Sequence, residues 1–210
     1  MRRAGDGRRF GALRALAFAG LACAAGSIPT GRLVTRALTG RRLEDLGDGK
    51  AGSSNVAHSV GWRAGAVVLA LDALKAYAPA ATARRAGAGD GVVALTGISA
   101  VEGHIVFVKG RGAASALGAA FAMDPAMMAV GCIPLVGGSL LRRHAQAVAV
   151  TALVLPLISL ALHRSPRRAL GPLVLVTALF AARLAGSGGA PFPSSRTVLW
   201  NRFWLDRDER

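Results

Sequence analysis

Residues 145–162 read AQAVAVTALVLPLISLAL, and residues 169–186 read ALGPLVLVTALFAARLAG. Neither stretch carries the polar stripe, repeating every 3.6 residues, that a surface helix of a soluble bundle needs. Each approaches the roughly 20 residues that cross the hydrocarbon core of a bilayer. Similar apolar runs occupy 10–29, 62–83, 91–108 and 112–138. Many are rich in Ala and Gly, which lets helices approach closely in lipid. The expected fold is all-α: a polytopic integral membrane helical bundle of about six to seven transmembrane or re-entrant helices. It occupies residues 1–186. Residues 187–210 are expected to form a flexible Gly/Pro/Ser linker and a short tail, TVLWNRFWLDRDER (197–210), either amphipathic with Trp200, Phe203 and Trp204 at the interface, or disordered.

Composition agrees. The chain has 210 residues, 52% hydrophobic and only 18% charged, with a mean hydropathy of +0.42. Soluble domains of this length rarely hold so much apolar content in such long runs. The net charge is +15. The basic residues sit between apolar runs, where anionic headgroups explain them. There is no basic stripe with interleaved aromatics, so nucleic acid is not an expected partner. Cys23 and Cys132 both lie in apolar runs. With no CxxC and no Cys/His cluster, neither a disulfide nor a metal site is expected. No cofactor is implied. MRRAGDGRRF (1–10) and the small residues Cys23–Ser27 resemble parts of a signal peptide. The chain then continues into GSIPTG and further spans, so 10–29 is read as a retained helix.

If the breaks between runs alternate sides, one face collects Arg32, Arg36, Arg41, Arg42, Lys50, Lys109, Arg111, Arg164, Arg167 and Arg168. The other collects Arg84, Arg85, Arg142 and Arg143. Ten cations against four make the first face cytoplasmic by the positive-inside rule. The amino-terminal Arg2, Arg3, Arg8, Arg9 and Arg14 conflict with this, because alternation puts them outside.

Four polar patches interrupt the apolar pattern. GSIPTG (26–31) ends the first run; Ser27 is either a substrate hydrogen-bonder or part of a helix-ending turn. GDGKAGSSN (47–55) has three glycines in six residues, Gly47, Gly49 and Gly52, which permit φ > 0 and bring N–H groups toward an anion. Ser53, Ser54 and Asn55 add side-chain donors. Downstream, VVLALDALKAYA carries Asp72 and Lys75, which share one helix face. Intramembrane charges are costly and read by default as functional; alternatively the pair only neutralises itself and locks helices. VEGHIVFVKGRGAAS (101–115) places Lys109 and Arg111 around Gly110, with Gly112 opening a helix, an arrangement that faces backbone donors and full charge toward an anion. It is otherwise an ordinary positive loop. His104 is a general base or a capping donor. In LHRSPRR (162–168), His163 and Arg164 either bind phosphate or move a proton, or form a plain stop-transfer cluster.

In order, these patches resemble the bacterial membrane acyl-phosphate:glycerol-3-phosphate acyltransferases. The family's GSIP motif matches Gly26, Ser27, Ile28 and Pro29. Its G-S-G-N-x-G-A-T-N loop is similar to GDGKAGSSN, which keeps Gly47, Gly49, Gly52 and Asn55, and the following V-L-R-x-x-G keeps Gly61. L-L-L-D-x-L-K-G is matched by LALDALKA with Asp72 and Lys75. G-H matches Gly103 and His104. F-K-G-G-K-G-V-A-T resembles KGRGAAS with Gly110, Gly112 and Ala114, Arg111 standing for the family Lys and Ser115 for its Thr. H-R matches His163 and Arg164. The chain departs at Glu44, Asp48 and Lys50. It lacks one loop glycine and about five residues between His104 and Arg111. It shows Arg143–Gln146 where R-Y-x-S-L would stand, so that serine is absent, and it adds the run 169–186.

The resemblance implies transfer of a fatty acyl group from acyl-phosphate to the 1-hydroxyl of glycerol-3-phosphate, giving lysophosphatidate in phospholipid synthesis. The implied partners are these two substrates and the lipid bilayer. The implied place is the bacterial inner membrane, multi-pass, with the site on the cytoplasmic side. His163, Asn55 and Ser27 would be catalytic. Lys109, Gly110, Arg111, Gly112 and Ser115 would hold one phosphate, and Gly49, Gly52, Ser53 and Ser54 the other. Asp72 and Lys75 would brace the site or touch phosphate, with His104 beside them and Arg164 orienting glycerol-3-phosphate. An activated donor needs no covalent nucleophile, and neither GxSxG nor HxxxxD occurs. A substrate phosphate oxygen or His163 would take the hydroxyl proton. The alternatives are a non-catalytic or altered-specificity protein that binds a phosphorylated lipid, and a small organic-anion transporter.

Overall fold

A computed structural model describes residues 11–186 and 195–206. The linker expected at 187–194 and the basic stretch 2–9 lie outside the described residues. All regular structure among the described residues is helical. Five stretches are long and apolar enough to cross a membrane: Ala12–Thr39, Trp62–Arg85, Asp90–Val108, His144–His163 and Pro166–Ala185. Two shorter apolar helices, Ala113–Met123 and Pro125–Leu140, accompany them.

The first stretch is bent at Ser27–Pro29 into α1 (Ala12–Gly26) and α2 (Thr30–Thr39). Pro29 has no N–H and cannot continue the helical ladder. A polar excursion follows, with one short turn (Leu43–Asp45) and α3 (Ser53–Ser59). Then come α4 (Trp62–Arg85), α5 (Asp90–Gly103), α6 (Ala113–Met123), α7 (Pro125–Leu140), α8 (His144–His163) and α9 (Pro166–Ala185). A single π turn, His104–Val108, extends α5.

Packing rests on small residues. A side chain at Gly26 would collide with the backbone of Ala100, and one at Gly103 with the backbone of Cys23. Helices α1 and α5 therefore touch backbone to backbone along the stretch where both reach the polar end. Outward, Leu13 (82% exposed), Leu21 (70%) and Ile133 (70%) form part of an apolar girdle, the surface that lipid rather than water would cover.

One expectation fails here. The run 112–138 was expected to cross once. It runs as two helices, α6 and α7, because Asp124–Pro125 stops one helix and starts the next. The Asp124 carboxylate accepts the Met127 N–H at 3.0 Å, and Pro125 occupies the first helical position, where its missing N–H costs nothing. The extra reversal of the chain changes the end of the bundle at which every later connector lies. Arg142 and Arg143 fall at the same end as Lys109, and the HRSPRR cluster falls at the opposite end.

The described tail, Arg196–Trp200 with the π turn Asn201–Leu205, is helical and docked. Phe203 stacks on Phe180 at 4.5 Å between ring centres, and Arg202 donates to the Leu184 carbonyl at 3.0 Å.

Candidate functional site

Four buried polar side chains meet where α1, α2, α4 and α5 converge. Asp72 and Lys75, one turn apart on α4, pair at 2.8 Å. The Thr30 hydroxyl, just past the α1–α2 bend, donates to Asp72 Oδ1 at 2.5 Å. The Lys75 ammonium also donates to the Ile28 carbonyl at 3.0 Å and to His104 Nδ1 at 2.7 Å. Asp72, Lys75 and His104 are 1%, 8% and 3% exposed. An uncompensated charge at such depth would cost several kcal/mol, so each member needs the others.

Counting donors fixes what this cluster offers. An ammonium has three protons and no acceptor, and those of Lys75 are spent on Asp72, Ile28 and His104. All three Lys75 protons therefore already have protein partners. Because His104 Nδ1 accepts, the neutral ring carries its proton on Nε2. That nitrogen has no hydrogen-bond partner among the described residues. It faces the KGRG loop so closely that a side chain at Gly110 would land on it. In this loop Lys109 (φ 60) and Gly112 (φ 73) are both left-handed, which is how residues 109–112 turn from the π turn into α6. Ser115, in the first turn of α6, has a buried hydroxyl without a hydrogen-bond partner among the described residues.

The glycine-serine loop is organised by Asn55, which is 5% exposed. Its amide donates to the carbonyls of Leu46 and Lys50, both at 3.0 Å. Its oxygen accepts from the Asp48 N–H at 3.3 Å and the Ser59 hydroxyl at 3.0 Å. Both amide protons are spent inside the loop, so Asn55 shapes it. Gly47 (φ 57) and Gly49 (φ 69) take left-handed turns within it. Gly52 caps α3, and Ser53 and Ser54 open it. At the loop's outer edge Glu44 pairs with Arg32 at 2.5 Å. Its carboxyl is held below its ordinary range chiefly by its own backbone N–H; burial opposes this, and Arg32 and Arg42 add to the lowering.

Ser53 and Ser54 also line the mouth of a cavity of about 320 Å³ that runs from Ser139 and His144 down among Leu117, Leu155, Leu175 and Leu179. One end is polar and lies beside the loops. The rest is apolar and lies between α6, α7, α8 and α9. Ser27 stands at the same end of the bundle, but its hydroxyl donates back to the Cys23 carbonyl at 2.8 Å.

His163 and Arg164 are not brought to this end. His163 Nε2 lies 2.5 Å from Asp124 Oδ2, and its Nδ1 lies 3.1 Å from Arg168. Arg168 in turn pairs with Asp90. Asp90 starts α5 and His104 follows its last residue, so about 14 helical rises, roughly 20 Å, separate the two histidines. The cause is the extra reversal of the chain at Asp124.

Some parts of the site escaped the sequence reading. Thr30 follows the GSIP motif directly and is the nearest hydroxyl after the bend. Ser139 and His144 look like span-end residues until the cavity gathers them. Arg111 forms an ion pair with Asp206 of the tail, a contact across 95 residues that no local pattern announces.

Fold and site define an integral membrane helical bundle whose buried charges and glycine loops converge at one bilayer face. Comparison with known proteins makes this specific. The family model for glycerol-3-phosphate acyltransferase matches residues 16–186, and the chain belongs to that family. A glycerol-3-phosphate acyltransferase of Aquifex aeolicus is 30% identical over 75% of this chain and 85% of its own length. One of Geobacter sulfurreducens is 33% identical over 73% and 82%. Among solved structures, PlsY, described as an integral membrane glycerol 3-phosphate acyltransferase, superposes in its glycerol 3-phosphate form with a TM-score of 0.73. That match has 27% identity over 80% of this chain and 88% of that one. The lysophosphatidic acid form of the same enzyme gives 0.71 at 25% identity.

Proposed function

We propose that the chain is a membrane acyltransferase that moves a fatty acyl group from acyl-phosphate to the 1-hydroxyl of glycerol-3-phosphate, yielding lysophosphatidate and phosphate. The observation that carries this reading is the free His104 Nε2–H, held by Lys75 against the Lys109–Gly112 loop. It supplies a neutral donor set between Lys75 and that loop. The relatives and the two PlsY forms support the same substrate and product.

The chemistry follows from the donor's activation. The glycerol hydroxyl oxygen attacks the acyl carbonyl carbon, a new C–O bond forms, and the C–O bond to phosphate breaks. The departing phosphate keeps that electron pair and takes up the hydroxyl proton. No covalent intermediate is needed, so positioning and charge neutralisation supply the acceleration. Lys109, Arg111, Gly110, Gly112 and Ser115 would hold one phosphate, and Gly49, Gly52, Ser53 and Ser54 the other. Asp72, Lys75, Thr30 and Asn55 would position these groups. The acyl chain would lie in the cavity among Leu117, Leu155 and Leu175. His163 and Arg164, at the far end of the bundle, would take no part.

The site would face the cytoplasm from the bacterial inner membrane. With the extra reversal counted, the connectors at the site end carry Arg32, Arg36, Arg41, Arg42, Lys50, Lys109, Arg111, Arg142 and Arg143. The far connectors carry Arg84, Arg85, Arg164, Arg167 and Arg168. Between the connectors alone, nine to five favours the site end as cytoplasmic. The amino-terminal Arg2, Arg3, Arg8, Arg9 and Arg14 count on the other side.

The test is purified protein in lipid, given palmitoyl-phosphate and labelled glycerol-3-phosphate. Lysophosphatidate should form, should fall about 100-fold or more in Arg111→Ala, and should persist in His163→Ala. A folded protein that forms no product would sink the reading.

A further inference from the structure

A second cavity, larger than the one beside the candidate site, lies elsewhere. It encloses about 620 Å³ at the opposite end of the bundle, between α4, α5, α8 and α9, with the α6–α7 corner as its floor. Its rim carries four guanidinium groups, on Arg84, Arg85, Arg167 and Arg168. Two are fixed by one carboxylate: Asp90 pairs with Arg84 at 3.1 Å and with Arg168 at 3.3 Å. Arg84 is further anchored on the Met123 carbonyl at 2.7 Å. Arg85 and Arg167 follow and precede these two in the chain, are exposed, and form no hydrogen bond or ion pair among the described residues. Against four arginines stand Asp90 and Asp124, with His163 bound to Asp124. The rim therefore keeps an excess of two positive charges when His163 is neutral.

Below the rim the walls are apolar and open sideways. Leu95, Leu170 and Val174 line the cavity and are also 43%, 57% and 51% exposed in the lipid-facing girdle. A soluble anion would find its charge partners here but would waste the walls. A neutral hydrocarbon would fill the walls but ignore the rim. The ligand that uses both has an anionic headgroup and an acyl chain entering from the bilayer.

We propose that this cavity holds an anionic phospholipid of the leaflet opposite the candidate active site. Its phosphate sits on the Arg84/Arg85/Arg167/Arg168 rim and its chain lies against Leu95, Ile98 and Val174. The site is independent of the acyl-transfer reading, and its test needs no catalytic activity.

The probe is a Leu95→Trp protein in vesicles of phosphatidylcholine containing, at equal mole fraction, either phosphatidylglycerol or phosphatidylcholine with brominated chains. The parent protein supplies the background, since Trp62, Trp200 and Trp204 lie at the other end. Brominated phosphatidylglycerol should quench the new tryptophan several-fold more than brominated phosphatidylcholine. Arg85→Ala/Arg167→Ala should erase the difference, while Arg85→Lys/Arg167→Lys, which retains both charges, should keep it. Equal quenching by the two lipids, or a preference that survives the alanine pair, overturns the proposal. Relief of quenching by inorganic phosphate would also overturn it, because the rim would then be taking a free anion.

Discussion

The two ends of the bundle solve the problem of charge in a membrane in different ways. At the candidate-site end, Asp72, Lys75 and His104 are buried and joined through Thr30 and a backbone carbonyl. At the other end, Arg84, Asp90 and Arg168 form a network whose side chains are 42–52% exposed. The buried cluster is rigid because no member can relax into water. The exposed network is cheap and adjustable. The first arrangement suits holding a donor in one place, and the second suits gripping a headgroup that comes and goes.

The largest effect tests the buried cluster. Lys75→Met keeps the volume but leaves Asp72 unpaired in an apolar site, which costs about 3–5 kcal/mol. It should unfold the protein in mild detergent or sharply lower its thermal midpoint. Adding Asp72→Leu removes the orphan charge and should restore most of that stability. Acyl transfer should stay absent in the double variant, because His104 Nδ1 has lost the donor that fixes its tautomer. If the double variant regains activity along with stability, the pair is only a helix lock.

Next in size is the loop that presses on His104. Gly110→Ala places a methyl on Nε2, so either the ring or the loop must move. A displacement near 1 Å at a reacting centre can cost about 100-fold. The expected result is a kcat drop of that order with a nearly unchanged thermal midpoint. The same substitution at Gly137, whose side-chain position is open, should do nothing to kcat.

How far this contrast was legible in the sequence depends on which residues are asked. The apolar runs follow from composition alone, because length and hydropathy leave a membrane few alternatives. Asp72 and Lys75 stand out for the same reason, being charges where charges are costly. Legibility failed at Asp124. The residues AFAMDPAMM look apolar enough to belong to one span, and only the Asp–Pro step, a helix cap followed by an N-terminal proline, marks the reversal. Read as one span, the stretch puts His163 and Arg164 at the candidate-site end, whereas the structure puts them beside Asp124 and Asp90. Lys75 was legible as a charge but not as a saturated donor, since its partners Ile28 and His104 lie 47 and 29 residues away.

A smaller effect concerns the tail. Asp206 sets a carboxylate on Arg111 and lies 3.7 Å from the buried Arg183. If Arg111 serves a substrate phosphate, this carboxylate competes with it. Asp206→Asn should lower KM for the phosphate substrate about two- to fivefold, the scale of one partly exposed ion pair, and leave kcat alone. A raised KM would mean that Asp206 instead orients Arg111.

The smallest effect uses acid to compare the two ends. Glu44, near the site, and Asp124, at the far end, both titrate below their ordinary values. For Asp124, burial works against the ionised form, but the Met127 N–H and His163 outweigh it. A carboxyl whose folded-state pKa is depressed adds stability above its unfolded value and loses it as pH falls through the folded one. For Asp124 that loss begins near its ordinary 3.8. Glu44 starts from 4.5 but is 37% exposed at its side chain, against 14% for Asp124, so solvent screens more of its contribution. Between pH 7 and the bottom of the carboxylate range, Asp124→Asn should therefore flatten the fall in thermal midpoint more than Glu44→Gln does. Asparagine still caps α7, so the difference reports the His163 pair and not the helix end. Equal flattening by the two variants would show that the far network is as exposed to solvent in the membrane as the loop edge, and the contrast between the ends would then rest on the buried cluster alone.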